Sequence, residues 1–377
     1  MKILVPLGTR PEIIKLAPVV AELLRRGHDV RTVATGQHYD PSLSDTFFDQ
    51  LSLHPDSRWT LSGTDAQRLG SILTQAVDEV VVTAPDLMLL LGDTNTVPLF
   101  SLAARRYRVP VAHLEAGLRS FNETSMEEVN RKVAAACCSL HLAPTELAGR
   151  FLLAEGVAEK RIRIVGNPVI DVLRQWDIGP RPVAERSGVV FTAHRASNVD
   201  DPVRLAQLVE IVQRLAMHVG PVTFPVHPRT ESRLIAIGMY DTLASTTGVS
   251  MVAPLPYDEM LRALQAASLV VTDSGGLQEE ASWLGMPVVV LRRSTPRWEG
   301  VANGTSVLVG TDPDSAIAAA TAMTTLVEQD RISKIPCPYG DGHSANRVAD
   351  VLEEPGIAEL LSISEPDFTG GMLPNLA

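Results

Sequence analysis

Leu269-Val270-Val271-Thr272-Asp273-Ser274-Gly275-Gly276-Leu277-Gln278-Glu279-Glu280 is the stretch that decides the fold. Leu269–Thr272 reads as a strand that is apolar almost throughout, as expected when helices cover both faces of a parallel sheet. Asp273–Gly276 is a short polar turn, and a helical stretch opens at Leu277. A serine and two glycines at a strand-to-helix junction present amides and a hydroxyl to an anion, so the turn is a candidate phosphate site. It is not a G-x-G-x-x-G fingerprint, and the first strand also lacks one, which disfavours a nicotinamide dehydrogenase.

The same alternation extends in both directions. Toward the N-terminus, Lys2–Pro6, Val30–Thr35, Leu87–Leu91, Val109–His113 and Leu140–Ala143 read as strands, with helices such as Ala66–Val82 and Glu127–Cys138 between them. Pro11 stands at a first helical position, and Pro18 is expected to kink that helix. A second series follows at Val189–Thr192, Val222–Phe224, Met251–Val252, Leu269–Thr272 and Val288–Leu291, beyond a Pro-containing linker at Arg174–Pro182. The expected architecture is α/β: two tandem Rossmann-like, doubly wound domains facing a central cleft. Their ranges are 1–172 and 184–355, with 356–377 as a C-terminal tail. Ligands of such sheets bind at the carboxyl ends of the strands, which places the site in the cleft.

Composition narrows the function. Lys and Arg total 33 against 44 Asp and Glu, a formal net charge of -11, which argues against non-specific nucleic-acid binding and against docking on anionic lipid. Apolar runs such as Leu87–Leu91 are strand-length and cannot span a bilayer. Cys137, Cys138 and Cys337 form no C-x-x-C pair, and Met1–Pro6 reads as a strand, not as a leader. A cytoplasmic location is the expectation.

Several reactive side chains fall just past strand ends. Gly8-Thr9-Arg10-Pro11-Glu12 follows the first strand, with Lys15 one turn into the helix. Gly92-Asp93-Thr94 and His113-Leu114-Glu115-Ala116-Gly117 end two more strands, and Glu127-Glu128 opens a helix. In the second half His194-Arg195 and His227 hold equivalent positions. Carboxylates gathered at one sheet edge share protons and shift each other's pKa values, which suits acid or base work. No H-E-x-x-H or Cys cluster marks a metal, and no G-x-S-x-G marks a serine nucleophile. Asp312-Pro313-Asp314 spells D-x-D but precedes a helical run and reads as its cap.

Taken in order, Gly8–Lys15, Gly92–Thr94, His113–Arg119, Glu127–Arg131 and Asp273–Glu280 resemble the motifs of the non-hydrolysing UDP-N-acetylglucosamine 2-epimerases, over residues 1–350. The resemblance implies two Rossmann domains in the GT-B arrangement, a UDP-sugar substrate and a homodimer; with no metal cluster or dinucleotide fingerprint in the sequence, no metal or other cofactor is expected. It implies anti elimination of UDP to 2-acetamidoglucal, then re-addition with C2 inverted. Asp93, Glu115 and Glu127 would handle protons, and His194 would stabilise the leaving UDP or relay a proton. Arg10, Lys15 and the amides of Ser274, Gly275 and Gly276 would hold the diphosphate. Tyr257 would lie against uracil, Glu280 would bind ribose, and Arg297 would neutralise phosphate charge.

The sequence departs from the family pattern in places. Met126 replaces a proline, Ser197 a glutamate and Trp298 a proline, and Ser197 and Trp298 are expected to reshape the sugar pocket. At the second, allosteric site of some members Gln37, Arg195 and His227 look retained, whereas Asp40 replaces a longer side chain. Three alternatives stay open: a hydrolysing 2-epimerase, in which water adds to the glucal; a GT-B glycosyltransferase; and a catalytically silent sugar-nucleotide sensor.

Overall fold

The structure is a computed structural model that describes residues 1–36, 48 and 50–365. Its first sheet contains β1 (Lys2–Leu7), β2 (Asp29–Ala34), β3 (Ser57–Arg58), β4 (Leu87–Leu91), β5 (Val111–Leu114), β6 (Leu140–Ala143) and β7 (Ile162–Ile164). Their order is β3-β2-β1-β4-β5-β6-β7, parallel throughout. The second sheet contains β8 (Val189–Thr192), β9 (Val222–Pro225), β10 (Val249–Val252), β11 (Leu269–Thr272), β12 (Val288–Val290) and β13 (Ser306–Leu308). Its order, β10-β9-β8-β11-β12-β13, repeats the pattern. In each sheet the chain starts in the middle, winds to one edge and returns to build the other half. The reversals lie between β1 and β4 and between β8 and β11, where crevices open at the strand ends.

Side-chain alternation explains why these strands read as unbroken apolar runs. Ile3, Val5, Leu7 and Leu89 face Ile13, Leu16, Val20 and Leu23 of the helix Arg10–Arg25. Leu4, Met88 and Leu90 point the other way, onto Ile72, Ala76, Val80 and Phe100. Each fully buried Leu, Ile, Val, Met or Phe among them contributes about 1.5–3 kcal/mol. The second sheet is covered likewise, by Leu205, Ile211 and Leu215 on one face and by Leu261, Leu264 and Leu277 on the other. The helix Arg10–Arg25 runs through Pro18 without interruption.

Two expected boundaries move. The helix Pro168–Gln175 belongs to both domains: Val172 packs on Ile14, whereas Val169, Ile170 and Leu173 join the second core. A break at residue 172 therefore falls inside a helix that wedges the domains together. Past residue 343 the chain returns to the first domain. In the helices Ser344–Leu352 and Ile357–Leu361, Val348, Ala349, Leu352, Ile357 and Leu361 complete the core around β1. Residues 344–355 thus pack with the first domain, and the start of the expected tail is a docked helix. Apolar residues at helical spacing needed a surface to cover, and the first domain supplies it.

Candidate active site

The turns after β1, β4, β5, β8, β9 and β11 converge on one cavity of about 420 Å³ between the sheets. After β1, Glu12 Oε2 accepts from the Gly8 and Thr9 amides, the latter at 3.1 Å, folding the turn back onto its helix. Gly8 has no room for a side chain, because a Cβ there would lie 2.6 Å from both Glu12 Oε2 and Thr96 Oγ1. Burial pushes the Glu12 carboxyl up to about 8, with the Asp93 charge adding to it and the Gly8 and Thr9 amides opposing.

Glu115 follows β5 with a left-handed φ of 62°, a conformation that costs a non-glycine residue energy and tends to cluster at functional sites. Its Oε1 accepts from Lys15 Nζ and, at 2.9 Å, from Asn167 Nδ2. Lys15 also donates to Glu279 Oε2 at 2.7 Å, and Arg297 donates to Glu279 Oε1 at 2.8 Å. Arg297 lies 3.8 Å from Glu115, which closes a buried ring of two cations and two carboxylates across the domains. Burial alone would raise the Glu115 pKa; Lys15 and Arg297 outweigh it and hold the group ionised.

Asp93 lines the cavity and meets Arg131, whose other arm donates to Glu128 Oε2 at 2.9 Å. Asn130 donates to the Asp93 carbonyl at 2.9 Å, so the helix Met126–Cys137 fixes both ends of this residue. Glu127 stands one side chain away from the cavity. It accepts from Ser125 Oγ at 2.5 Å and lies 3.7 Å from Arg195 NH1. Burial works to raise its pKa, but Ser125, Arg195 and Arg131 together lower it.

In the second domain Asp273, fully buried at the end of β11, accepts from the amides of His194 at 3.1 Å and Arg195 at 3.0 Å. It also lies 3.2 Å from His194 Nδ1, which orients the imidazole ring. The His227 ring lies near and tilted to it, with ring centroids 5.7 Å apart. Ser274 caps the helix Gly275–Trp283, so that helix presents its amide end to the cavity. Gly275 lets this helix end approach Arg297 closely, since a Cβ would sit 3.2 Å from the guanidinium carbon. Tyr257 Oη donates to Glu280 Oε1 at 2.7 Å. Burial pushes Glu280 up to about 7, against the Tyr257 hydrogen bond. Among the described residues no group of three or more His, Cys, Asp or Glu is placed to hold a metal ion.

Residues 21–353 match the family model described as UDP-N-acetylglucosamine 2-epimerase. The chain belongs to this family. It is similar to the UDP-N-acetylglucosamine 2-epimerase of Methanocaldococcus jannaschii, with 36% identity over 93% of this chain and 99% of that protein. A Pseudomonas aeruginosa UDP-2,3-diacetamido-2,3-dideoxy-D-glucuronate 2-epimerase is also 36% identical, over 93% of this chain and 99% of its own. In structure the chain resembles the M. jannaschii UDP-GlcNAc 2-epimerase in complex with UDP-GlcNAc and UDP. That match has a TM-score of 0.85 and 35% identity, covering 94% of this chain and 99% of the other. It also resembles the Neisseria meningitidis UDP-GlcNAc 2-epimerase bound to UDP-GlcNAc, with a TM-score of 0.84, 29% identity, and coverage of 94% and 100%.

In this member of the UDP-N-acetylglucosamine 2-epimerase family, Arg10, Lys15, Asp93, Glu115, His194, Tyr257, Ser274, Gly275, Gly276, Glu280 and Arg297 all line the one cavity. Glu127 does not line it. Arg195 and His227, expected at an allosteric site, line this same cavity, and Gln37 and Asp40 fall outside the described residues. Neither Ser197 nor Trp298 lines it: Ser197 is exposed, and Trp298 turns toward Arg119. Sequence reasoning passed over Glu12, Arg131, Asn167, Asp273 and Glu279 as working residues. Glu12 could have been found from its position three residues after Thr9, the reciprocal capping arrangement. Arg131 could have been found as the i+3 partner of Glu128. Asn167, Asp273 and Glu279 depend on contacts between distant segments.

Proposed function

We propose that the chain reversibly inverts C2 of UDP-N-acetylglucosamine, giving UDP-N-acetylmannosamine. The observation that carries this reading is the pairing, in one cavity, of carboxylates from the first sheet with an anion-binding helix end and His194 from the second. The C2 proton is weakly acidic, so its removal needs a positioned carboxylate and a stabilised leaving group. Asp93, Glu115 and Glu127 handle protons around the sugar. The amides at Ser274–Gly276, with Arg10 and His194, take the charge that develops on departing UDP. As the C1–O bond to the diphosphate breaks and the C2 proton leaves, 2-acetamidoglucal forms; UDP re-adds as a proton arrives on the opposite face. Glu280 and Tyr257 hold the nucleoside, and Arg195 and His227 border the same space. Support comes also from the family and from the two bound UDP-sugar structures that this fold resembles.

A second substrate has a specific observation in its favour. The P. aeruginosa relative named for a 2,3-diacetamido uronate is as identical to this chain as the M. jannaschii one named for UDP-N-acetylglucosamine. Proton NMR of the chain with each sugar nucleotide in turn tests the reading. UDP-N-acetylmannosamine should appear with no free sugar, in the presence of a chelator. Free N-acetylmannosamine with stoichiometric UDP would replace it with the hydrolysing reaction, and turnover of the uronate alone would change the substrate.

A homodimer and a cytoplasmic location complete the proposal. Val82, Leu102 and Tyr107 are 78%, 46% and 48% exposed on the neighbouring helices Asp65–Thr83 and Thr96–Arg106 and the turn after them, a surface suited to a second copy. Cys137, Cys138 and Cys337 are free thiols, which suits a reducing compartment. No described helix is long and apolar enough to cross a membrane.

A further inference from the structure

Outside the cavity the second domain touches the first at Trp298, directly after Arg297. The indole Nε1–H donates to the Arg119 carbonyl at 2.9 Å. The Trp298 ring lies 6.3 Å from that of Phe121, which packs edge-on against Phe151 at 5.1 Å. The acceptor is rigidly held, because the 1%-exposed Arg119 donates twice to Glu155 at 2.7 Å and once to the Leu118 carbonyl at 2.8 Å.

The segment Trp298 grips also frames the carboxylates. Ser120 donates to Glu128 Oε2 from its amide at 2.8 Å and its hydroxyl at 3.0 Å, and the Phe121 amide donates to Glu128 Oε1 at 3.3 Å. Glu128 accepts from Arg131, which holds Asp93, and Glu127 precedes it on the same helix. On its own side Trp298 adjoins Arg297, which reaches Glu279 and Glu115. One indole thus joins the second domain to the loop that sets the proton-transfer groups.

We propose that Trp298 is a closure latch, a positioning residue that keeps the second domain against Arg119–Phe121 between the two half-reactions. The inference rests on the elimination and re-addition reading given above. In the first half-reaction the C1–O bond breaks, its electron pair leaves with UDP, and the C2 proton passes to a carboxylate. Two separate molecules then share the cleft, and nothing covalent holds them. If the domains part at that moment, glucal and UDP escape in equal amounts without water or any other reactant. The latch sets the division between escape and re-addition.

The test is the ratio of free 2-acetamidoglucal to C2-inverted UDP-sugar, measured by chromatography for the wild type and for Trp298→Phe and Trp298→Ala. Phenylalanine keeps the ring contact and loses the N–H, so the ratio should rise about two- to tenfold, the usual effect of one hydrogen bond. Alanine should raise it further. A merely structural role would lower turnover and thermal midpoint together and leave the ratio unchanged, and that result would overturn the latch. The phenylalanine variant decides the matter if the alanine variant does not fold. Absence of solvent deuterium at C2 in the wild type would instead sink the reaction itself, and the latch with it.

Discussion

Lys15 Nζ stands 2.7 Å from Glu279 Oε2 across the domain cleft, one on the helix after β1 and the other on the helix after β11, and both are buried. With Glu115 and Arg297 they form a charge-balanced group that joins the two domains at the floor of the cavity. Such a group contributes little net energy when intact, because desolvation opposes attraction, but losing one member leaves a buried charge uncompensated. Lys15→Met and Glu279→Gln should each cost about 3–5 kcal/mol in urea unfolding, and the double variant should cost less than the sum. Additive losses would mean that the two side chains act independently.

Asp93→Asn, Glu115→Gln and Glu127→Gln should each lower turnover by about 10²–10⁴. UDP affinity should change far less, because the diphosphate is assigned to Arg10, His194 and the Ser274–Gly276 amides and not to these carboxylates. Asp93 also pairs with Arg131, and Glu115 with Lys15 and Asn167, so thermal midpoints are measured alongside to separate folding from chemistry. Combined variants should lose less than the product of the single effects, as expected of groups that act as one unit. The assay pairs steady-state turnover with a UDP titration, and near-normal turnover in all three would remove them from the chemistry.

Arg10→Ala and Ser274→Ala act on the opposite end of the ligand. Both line the cavity, and Ser274 caps the helix whose amides face it. A charge-assisted contact to phosphate contributes about 1.5–3 kcal/mol, so Arg10→Ala should weaken UDP binding by about tenfold or more. Calorimetry with UDP measures this directly, and unchanged affinity in both variants would move the nucleotide site.

Glu12 supplies a pH prediction. Burial lifts its folded pKa from 4.5 to about 8, so the folded chain keeps a proton that the unfolded chain releases. The stabilisation is complete below about pH 4.5 and is lost as pH rises through about 8. Glu12→Gln cannot ionise, and it should lose less stability than the wild type between those limits. Urea midpoints across the range check this, and parallel curves for the two proteins would contradict it. The groups acting on Glu12 are the Asp93 charge and the Thr94 hydroxyl after β4, with Glu115 after β5 close by across Gly92.

The central strands were legible because they are buried on both faces: Leu87–Leu91 and Leu269–Thr272 carry unbroken apolar runs. β3, β7 and β13 were not, being two or three residues long at sheet edges and only partly covered, so little apolar signal marks them. The cap at Asp312 read correctly, since its side chain accepts from the Ser315 amide at 2.8 Å and the signal is local. The return of residues 344–361 to the first domain was hidden, because an amphipathic helix does not state which core it will cover. The site divides in the same way. Asp93, His194 and Ser274 follow strand ends, and topology brings such residues together. The Lys15–Glu279 and Trp298–Arg119 pairs join positions 264 and 179 residues apart, and no spacing rule reaches that far.

The central claim is that this cavity moves a proton at C2 of a UDP-sugar, and incubation with UDP-N-acetylglucosamine in deuterated water tests it most directly. The sugar nucleotide recovered, in both C2 configurations, should carry deuterium at C2, and Asp93→Asn should suppress the incorporation by about 10²-fold or more. Epimerised product that retains its original C2 hydrogen, or sugar nucleotide recovered without any deuterium after prolonged incubation, would contradict the account.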